Sequence, residues 1–174
     1  MLERSCGAVV YTEKENQRRY VLVKGGYIGL PKGHMERGES ERETAVREIW
    51  EETCVKTQLI PGFRRVVTYH MPNGNDKRVA YFLAHYSHQE AHQNPEEFLK
   101  VLVLGYYDAL RALTFENDRV TLREAERFLR RRAAAGAAKA AERQTGKEGH
   151  LWHLCIFTFI RNTACWTARA GSSS

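Results

Sequence analysis

The chain lacks several features that would place it in a special class of protein. It has no apolar run near the ~20 residues of a membrane-spanning helix, and we expect neither a signal peptide nor a membrane partner. Only four of its 174 residues are cysteine, and none has the C-x-x-C spacing of metal or redox sites. We therefore expect reduced thiols and a cytoplasmic location.

The net charge of +6 is confined to one end of the chain. Residues 1–128 hold 19 Lys or Arg and 19 Asp or Glu, whereas residues 129–174 hold 8 and 2. The body therefore has no basic bias of the kind that binds phosphate backbones, and we expect no nucleic-acid partner. The stretch 133–174 is alanine-rich and basic, with an apolar run at 151–160. Its role is left open among packing on the body, a homodimer contact and an accessory without catalytic consequence.

Apolar patterning predicts strands at six places in the body of the chain. These strands cover residues 5–12, 19–24, 57–60, 63–70, 79–86 and 98–104. Links at 13–18 and 72–75 join two pairs of them as hairpins. The predicted helices cover residues 41–53, 108–113 and about 119–132, and the alanine-rich stretch beyond could either extend the last one or be a frayed linker. Strands mixed with a few helices favour an α/β fold, an α/β/α sandwich around a mixed sheet, in a domain of residues 1–132.

The first predicted helix carries an unusual acidic face. Glu48, Glu51 and Glu52 stand at i, i+3 and i+4, so three carboxylates share one side of the helix. Such crowding of like charges favours a nearby cation, and oxygen-only ligands suit Mg²⁺ or Mn²⁺ better than zinc. Ser40 and Glu43 predict a capping box at the start of the helix.

A basic turn of sequence PKGH precedes this helix at residues 31–34. Its Lys32 and His34 offer cationic or hydrogen-bonding groups to phosphate oxygens. On the helix itself, Arg47 is predicted to pair with Glu43 one turn back. The turn, the cap and the acidic helix together predict a polyanion beside a metal site.

Residues 33–55 resemble the signature of the Nudix hydrolases, G-x5-E-x7-R-E-U-x-E-E-x-G-U with U aliphatic. The positions that match in register are Gly33, Glu39, Arg47, Glu48, Ile49, Glu51, Glu52 and Val55. Cys54 departs from the pattern, since the family has glycine at this position. A left-handed conformation is common just past a helix and costs a residue with a Cβ about 1 kcal/mol.

The resemblance implies hydrolysis, at a pyrophosphate bond, of a nucleoside diphosphate linked to another group. Divalent ions offset phosphate charge in such enzymes, and an activated water attacks phosphorus. The implied metal ligands, for Mg²⁺ or Mn²⁺, are Gly33, Glu48, Glu51 and Glu52. The implied catalytic residues are Arg47, which orients the carboxylates, with Glu51, Glu52 and Glu97. Glu39 is often structural or water-linked in the family.

Residues 31–36, of sequence PKGHME, resemble the opening of the asymmetrical diadenosine tetraphosphate hydrolases, and the likeness extends over residues 1 to about 130. A loop glutamate of that family, which binds metal or acts as the base, falls on Glu97. The residues predicted to bind the nucleotide substrate are Lys32, His34, Arg78, Tyr69 and Tyr81, with Tyr27 as another ring on which adenine could stack. Lys77, beside Arg78 at the hairpin, could also reach the distal phosphates. Of Tyr81 and Phe82, which point to opposite faces, one is predicted to lie in the core.

Other hypotheses stay open at this point. A diphosphoinositol polyphosphate would be bound by Arg64, Arg65, Lys77 and Arg78, and capped RNA is a third substrate class. A non-catalytic ligand sensor with the same fold is a different class of function. The three intact carboxylates count against a sensor, because a pure binder has no need of them.

Overall fold

The computed structural model describes the backbone of residues 2–163 and the side chains of residues 2–139. The strands in this part of the chain are β1 (Leu2–Lys14), β2 (Gln17–Lys24), β3 (Ile28–Gly29), β4 (Lys32–His34), β5 (Gln58–His70), β6 (Asp76–His85) and β7 (Lys100–Gly105). The helices are α1 (Glu41–Thr53), α2 (Tyr106–Ala112) and α3 (Glu116–Thr163).

These strands form one mixed sheet. The order is β3-β2-β1-β6-β5, with β4 also paired to β1 and β7 to β2. β1 and β6 run parallel, and the other pairs are antiparallel. The α/β fold with a mixed sheet is therefore confirmed.

Both predicted hairpins are present. β1 and β2 join through Glu15 and Asn16, whose φ values of 52° and 60° match the type I′ turn that short hairpins favour. β5 and β6 pair across residues 71–75. β5 is nevertheless a single strand where two were predicted. Its pairing register with β6 shifts between Leu59 and Arg64, and Gly62 adopts a φ of 92° there. The Pro61-Gly62 pair therefore lies in an irregular, bulge-like part of the strand and does not end it.

The sheet is covered on both faces. Phe82 packs in the cluster that contains Ala45 and Ile49 of α1. Tyr81, the preceding residue, faces the other side, where its hydroxyl donates to Asp118 of α3 at 2.9 Å. Tyr81 and Phe82 are only 1% and 4% exposed, so the prediction of a single core residue at this pair is wrong. Helices on both faces bury successive residues of a central strand alike.

α1 begins and ends where the sequence predicts. The Ser40 hydroxyl accepts the N–H of Glu43, and the Glu43 carboxylate accepts the N–H of Ser40, which completes the capping box. At the other end, Cys54 has a φ of 55° and its N–H donates to the carbonyl of Trp50. A residue with a Cβ therefore occupies the left-handed position.

α3 is longer than the helix predicted at 119–132. Leu122 and Ala125 are fully buried, as the predicted apolar stripe requires. The backbone stays helical to Thr163, so of the two alternatives for the alanine-rich stretch, helix or frayed linker, the structure has the helix. The apolar run at 151–160 lies beyond the described side chains. Met1–Phe128 forms one compact unit, and a second begins at Leu129.

Two thiols fall among the described side chains. Cys6 is buried and Cys54 is partly exposed, and both are free; Cys155 and Cys165 lie outside the described side chains. Burial raises the pKa of Cys6 to about 11. Among the described helices, none combines the length and the apolar character needed to cross a bilayer.

Candidate active site

Arg47 lies at the centre of the acidic cluster on α1. Its Nε and Nη2 donate to the two carboxylate oxygens of Glu39 at 2.7 and 3.0 Å. Its Nη1 donates to Glu48 at 2.9 Å and to Glu51 at 2.8 Å. A further bond runs from Nη2 to the carbonyl of His34 at 3.0 Å. These bonds use every N–H of the guanidinium, so its orientation is fixed by its neighbours.

The predicted pair of Arg47 with Glu43 is wrong. The Glu43 carboxylate accepts the N–H of Ser40 at 2.8 Å and is committed to the helix cap. Glu39, from the loop before the helix, pairs with the Arg47 guanidinium instead. It also accepts a hydrogen bond from the hydroxyl of Thr44 at 2.7 Å. The bond from Arg47 holds the pKa of Glu39 at about 2. Glu39 is therefore an ionised residue that holds Arg47 in place.

β4 lies against the acidic face of α1. A Cβ on residue 33 would stand 2.0 Å from Oε2 of Glu48, so only glycine leaves room for that carboxylate. The N–H of Lys32 donates to Oε2 of Glu52 at 3.0 Å. The structure thus brings Gly33, Glu48 and Glu52 together, and Glu51 joins them through its bond to Arg47.

Burial changes the titration of the two carboxylates nearest β4. The pKa of Glu52 rises to about 8, chiefly through burial and also through the charges of Glu48 and Glu97, although the N–H of Lys32 opposes the rise. Burial likewise raises the pKa of Glu48, despite its bond to Arg47. Buried carboxylates that resist ionisation are stabilised by an added cation.

The donor chemistry of this cluster suits a hard divalent ion. Within residues 2–139, no three acidic, histidine or cysteine side chains form a ready-made metal cage. Arg47 holds two of the carboxylates on one nitrogen instead. Carboxylate oxygens with space for water and phosphate oxygens are the ligands that Mg²⁺ and Mn²⁺ prefer, so the residues fit such an ion.

A cavity of about 490 Å³ opens on the face of the sheet opposite α1. The rings of Tyr27 and Phe115, 46% and 50% exposed, meet edge to face at 5.1 Å beside it. Tyr69 lines the cavity and is half-buried, whereas Tyr81 is almost fully buried. The ammonium of Lys32 lies 3.2 Å from the Tyr27 hydroxyl and 5.2 Å from its ring centroid. The exposed rings, rather than Tyr81, offer stacking faces.

Phe115 and Asp118 are among the residues of this cavity that sequence reasoning missed. Asp118 is buried, and it accepts the hydroxyl of Tyr81 at 2.9 Å. Burial raises its pKa, although Tyr81 and Lys32 oppose the rise. Burial alone would lower the pKa of Lys32, but Tyr27 and Asp118 raise it above its ordinary value, so the ammonium stays charged. An acidic residue in a first helical turn is common, and no sequence signal distinguished this one.

Lys77 and Arg78 are neighbours on β6 and therefore point to opposite faces. Lys77 lines the cavity. Arg78 lies on the α1 side, where its Nη2 is 3.9 Å from the Glu41 carboxylate. The same carboxylate binds Arg64 at 2.7 Å and lies 3.6 Å from Arg4. Of the two cations predicted to reach the distal phosphates, Lys77 therefore lies beside the cavity and Arg78 lies on the α1 side.

His34 and Glu97 lie at the margins of the carboxylate cluster. The exposed side chain of His34 is 3.2 Å from the Glu3 carboxylate, and only its backbone carbonyl reaches the guanidinium. Glu97 is exposed on the loop before β7, and its charge contributes to the raised pKa of Glu52. Asn94 of that loop donates to a backbone carbonyl in the last turn of α1 at 2.8 Å. The loop is thereby held near the acidic face.

Comparison with known proteins agrees with this geometry. A sequence model of the NUDIX domain matches residues 1–125. An asymmetrical bis(5′-nucleosyl)-tetraphosphatase of Rattus norvegicus is 37% identical over 143 residues, which cover 74% of this chain and 97% of that protein. Among solved structures, a C. elegans Ap4A hydrolase in a binary complex has a TM-score of 0.67 at 22% identity, covering 73% of this chain and 97% of its own. This structural likeness concerns the fold.

Proposed function

The chain belongs to the NUDIX domain family, and on that premise we propose that it hydrolyses dinucleoside polyphosphates with the help of a divalent metal. It is a hydrolase that acts on pyrophosphate bonds. The reaction that we propose in particular is the cleavage of diadenosine tetraphosphate to ATP and AMP. The activity named for the rat relative supports this choice, because the chain spans 97% of that protein at 37% identity.

The observation that carries the proposal is the position of Lys32. Its backbone N–H donates to the Glu52 carboxylate, and its side chain lines the cavity beside Tyr27. One residue therefore joins the acidic cluster to a cavity with exposed aromatic rings. A nucleotide whose base lies in the cavity would have its phosphates at Lys32 and next to the carboxylates.

The acidic cluster would hold the metal. Glu48, Glu51, Glu52 and the backbone of Gly33 are the proposed ligands of Mg²⁺ or Mn²⁺, which offsets phosphate charge when bound. Arg47 keeps these carboxylates in place through the bonds described above. The partly buried position of Glu52 excludes some of the water that would otherwise screen these charges.

The cavity would fix the register of the substrate. An adenine ring stacks on Tyr27 or Tyr69, a contact worth about 1–3 kcal/mol per base. Lys32 and Lys77 neutralise phosphate oxygens. A water near Glu97 or Glu52 transfers a proton to a carboxylate while its oxygen bonds to a terminal phosphorus of the chain. The bond from that phosphorus to the next bridging oxygen breaks, and that oxygen leaves with ATP, which gives AMP and ATP.

The arrangement of cations does not favour a diphosphoinositol polyphosphate. The four residues predicted for that ligand do not share one surface. Arg64 and Arg78 are at the Glu41 carboxylate on the α1 side, and Arg65 is paired with Glu124. Of these four residues, only Lys77 lines the cavity beside Tyr27.

Product analysis tests the proposed reaction. The protein is incubated with diadenosine tetraphosphate and Mg²⁺ in ¹⁸O-labelled water. The products are then separated, and their masses are measured by mass spectrometry. We expect ATP and AMP in equal amounts, with the label in AMP. Two molecules of ADP would contradict the fixed register. An absence of turnover on every dinucleoside polyphosphate would favour capped RNA or inositol substrates, or a sensor if Mg²⁺ also failed to bind.

A further inference from the structure

Two arginines stand side by side on the α1 side of the sheet. In the pairing of β1 with β6, Arg4 lies opposite Arg78, and in the pairing of β6 with β5, Arg78 lies opposite Thr68. Neighbouring strands are about 4.8 Å apart, and side chains at paired positions point to the same face. These three side chains therefore form one row across three adjacent strands, which we call the Arg4 row. The side chains of Arg4 and Arg78 are 51% and 35% exposed, and Thr68 is exposed as well.

The carboxylate beside the Arg4 row is committed to a third arginine. Both oxygens of Glu41 accept hydrogen bonds from the guanidinium of Arg64, at 2.7 to 3.0 Å. The distances from Glu41 to Arg4 and to Arg78 are 3.6 and 3.9 Å, which is too long for a hydrogen bond. Within residues 2–139, the side chains of Arg4 and Arg78 donate no hydrogen bond. Three arginines against one glutamate leave an excess of two positive charges among these four residues.

This excess charge has an energetic cost. Like charges that lie directly opposite each other on neighbouring strands destabilise a sheet. Acidic partners are not scarce in this chain, because residues 1–128 hold as many acidic as basic residues. Other arginines of the sheet are paired closely, Arg18 with Glu126 at 2.7 Å and Arg65 with Glu124. A doubly charged anion at the Arg4 row would offset the repulsion that Glu41 leaves.

We propose that the Arg4 row binds a phosphate group, either free or as the monoester of a small molecule. Such a group carries up to two negative charges near neutral pH, which matches the excess at the row. The guanidinium forks of Arg4 and Arg78 fit its oxygens in pairs, and the hydroxyl of Thr68 donates to another oxygen. Glu41 precedes Glu48 by seven residues, or ~10 Å along α1. The phosphate site is therefore separate from the carboxylate cluster of the candidate active site.

Thermal unfolding and calorimetric titration of the full chain test this site. Wild type and Arg4→Gln are compared in phosphate and in chloride at equal ionic strength, with a chelator present to remove divalent ions. Phosphate raises the Tm of the wild type, because it binds the folded state, and Arg4→Gln loses this rise. The Kd for phosphate weakens about tenfold in Arg4→Gln, since one fork of charge-assisted hydrogen bonds is removed. No rise for the wild type, or equal rises for both proteins, would overturn the proposal.

Two control variants separate this site from other places where phosphate could bind. Arg111→Gln removes an exposed arginine of α2 that is paired with Asp108, and it keeps the rise in Tm. Lys32→Gln changes the proposed substrate site and also keeps the rise. Loss of the rise in Lys32→Gln but not in Arg4→Gln would place the phosphate at the substrate site and overturn the proposal. No hydrolysis is measured, so the result does not depend on the proposed reaction.

Titration of adenosine 5′-monophosphate distinguishes the two sources of the phosphate group. The quantity compared is the part of the affinity that Arg4→Gln removes. An equal Arg4-dependent Kd for the nucleotide and for inorganic phosphate identifies free phosphate as sufficient. An Arg4-dependent Kd that is about tenfold tighter for the nucleotide identifies a monoester. Both results support a phosphate site at the Arg4 row, whereas a Kd independent of Arg4 for both ligands would exclude it.

Discussion

The backbone of Gly33 lies directly against the carboxylate of Glu48, with 2.0 Å between the oxygen Oε2 and the place of a Cβ on residue 33. We predict that Gly33→Ala leaves the protein folded, because a carboxylate at the end of a flexible side chain can move aside. The moved carboxylate no longer holds its place in the cluster, so kcat falls by about 10²-fold. Kinetics and thermal unfolding measure the two effects. Gly26→Ala, where a Cβ meets nothing within 4 Å, is the control. Unchanged kcat in Gly33→Ala would contradict the role of Glu48.

The carboxylates that face β4 and Arg47 provide a second prediction. We expect Glu51→Gln and Glu52→Gln each to lower kcat by roughly two or more orders of magnitude, because each removes a charge that would bind the metal. The fold is retained, since glutamine keeps the shape of the side chain. Glu96→Gln, on the exposed loop, serves as control and keeps wild-type kcat. Full activity in both helix variants with unchanged Mg²⁺ dependence would refute the metal assignment.

The third prediction is that metal binding releases a proton from Glu52. The pKa of Glu52 is about 8 in the folded chain and 4.5 in its ordinary state, so the metal-free protein holds an extra proton between these values. Its free energy of unfolding therefore falls as pH rises through this window, and Mg²⁺ restores it. Apparent Mg²⁺ affinity rises with pH up to about 8 and then levels off. Calorimetry in buffers of different ionisation enthalpy detects the proton, and Glu52→Gln removes it. A flat pH profile for the wild type would exclude this coupling.

Cys54 provides a prediction about stability. Its φ of 55° is strained for a residue with a Cβ, so Cys54→Gly raises the free energy of unfolding by up to about 1 kcal/mol. The corresponding rise in Tm is about 2–4 °C. Cys54→Ala, which keeps the Cβ, shows no such gain. A lower Tm for the glycine variant would mean that the Cys54 side chain makes contacts worth more than the strain.

The separability of the body provides the last prediction. Every residue of the proposed site lies within Met1–Phe128, and we propose residues 1–132 as the catalytic domain. A chain that ends at Arg132 keeps the buried Leu122 and Ala125, so we expect soluble protein and a kcat within about twofold of the full chain. Gel filtration and kinetics are the measurements. Insoluble truncated protein would show that residues beyond 132 complete the core or a subunit interface.

Features that depend on neighbouring residues could be predicted from the sequence. The capping box of Ser40 and Glu43 and the left-handed position of Cys54 each follow from a few adjacent residues. The hairpins were equally local. The resemblance of residues 33–55 to a known signature rested on a few residue types at fixed spacing. It identified the cluster whose carboxylates bond to Arg47.

Features that depend on distant parts of the chain could not be predicted. Arg47 bonds to Glu39 and to the carbonyl of His34 because β4 pairs with β1, and no local pattern indicated that pairing. Asp118 reaches the cavity from 37 residues beyond Tyr81 along the chain. The sequence also did not show that Arg78 occupies the α1 side of β6, where it lies near the Glu41 carboxylate. Periodicity fixes that two neighbours point apart, but not which of them faces the ligand.

The alternation of Lys77 and Arg78 limits how the length of this chain can vary. Insertion or deletion of one codon inside β6 would turn the remainder of the strand over and exchange the faces of all its side chains. Arg78 would then face the cavity, and Lys77 would face the side on which the Glu41 carboxylate lies. An extra residue at positions 71–75 instead lengthens the loop and leaves the register unchanged. In this hairpin, we therefore expect gains and losses of residues to be tolerated in the loop and not inside β6.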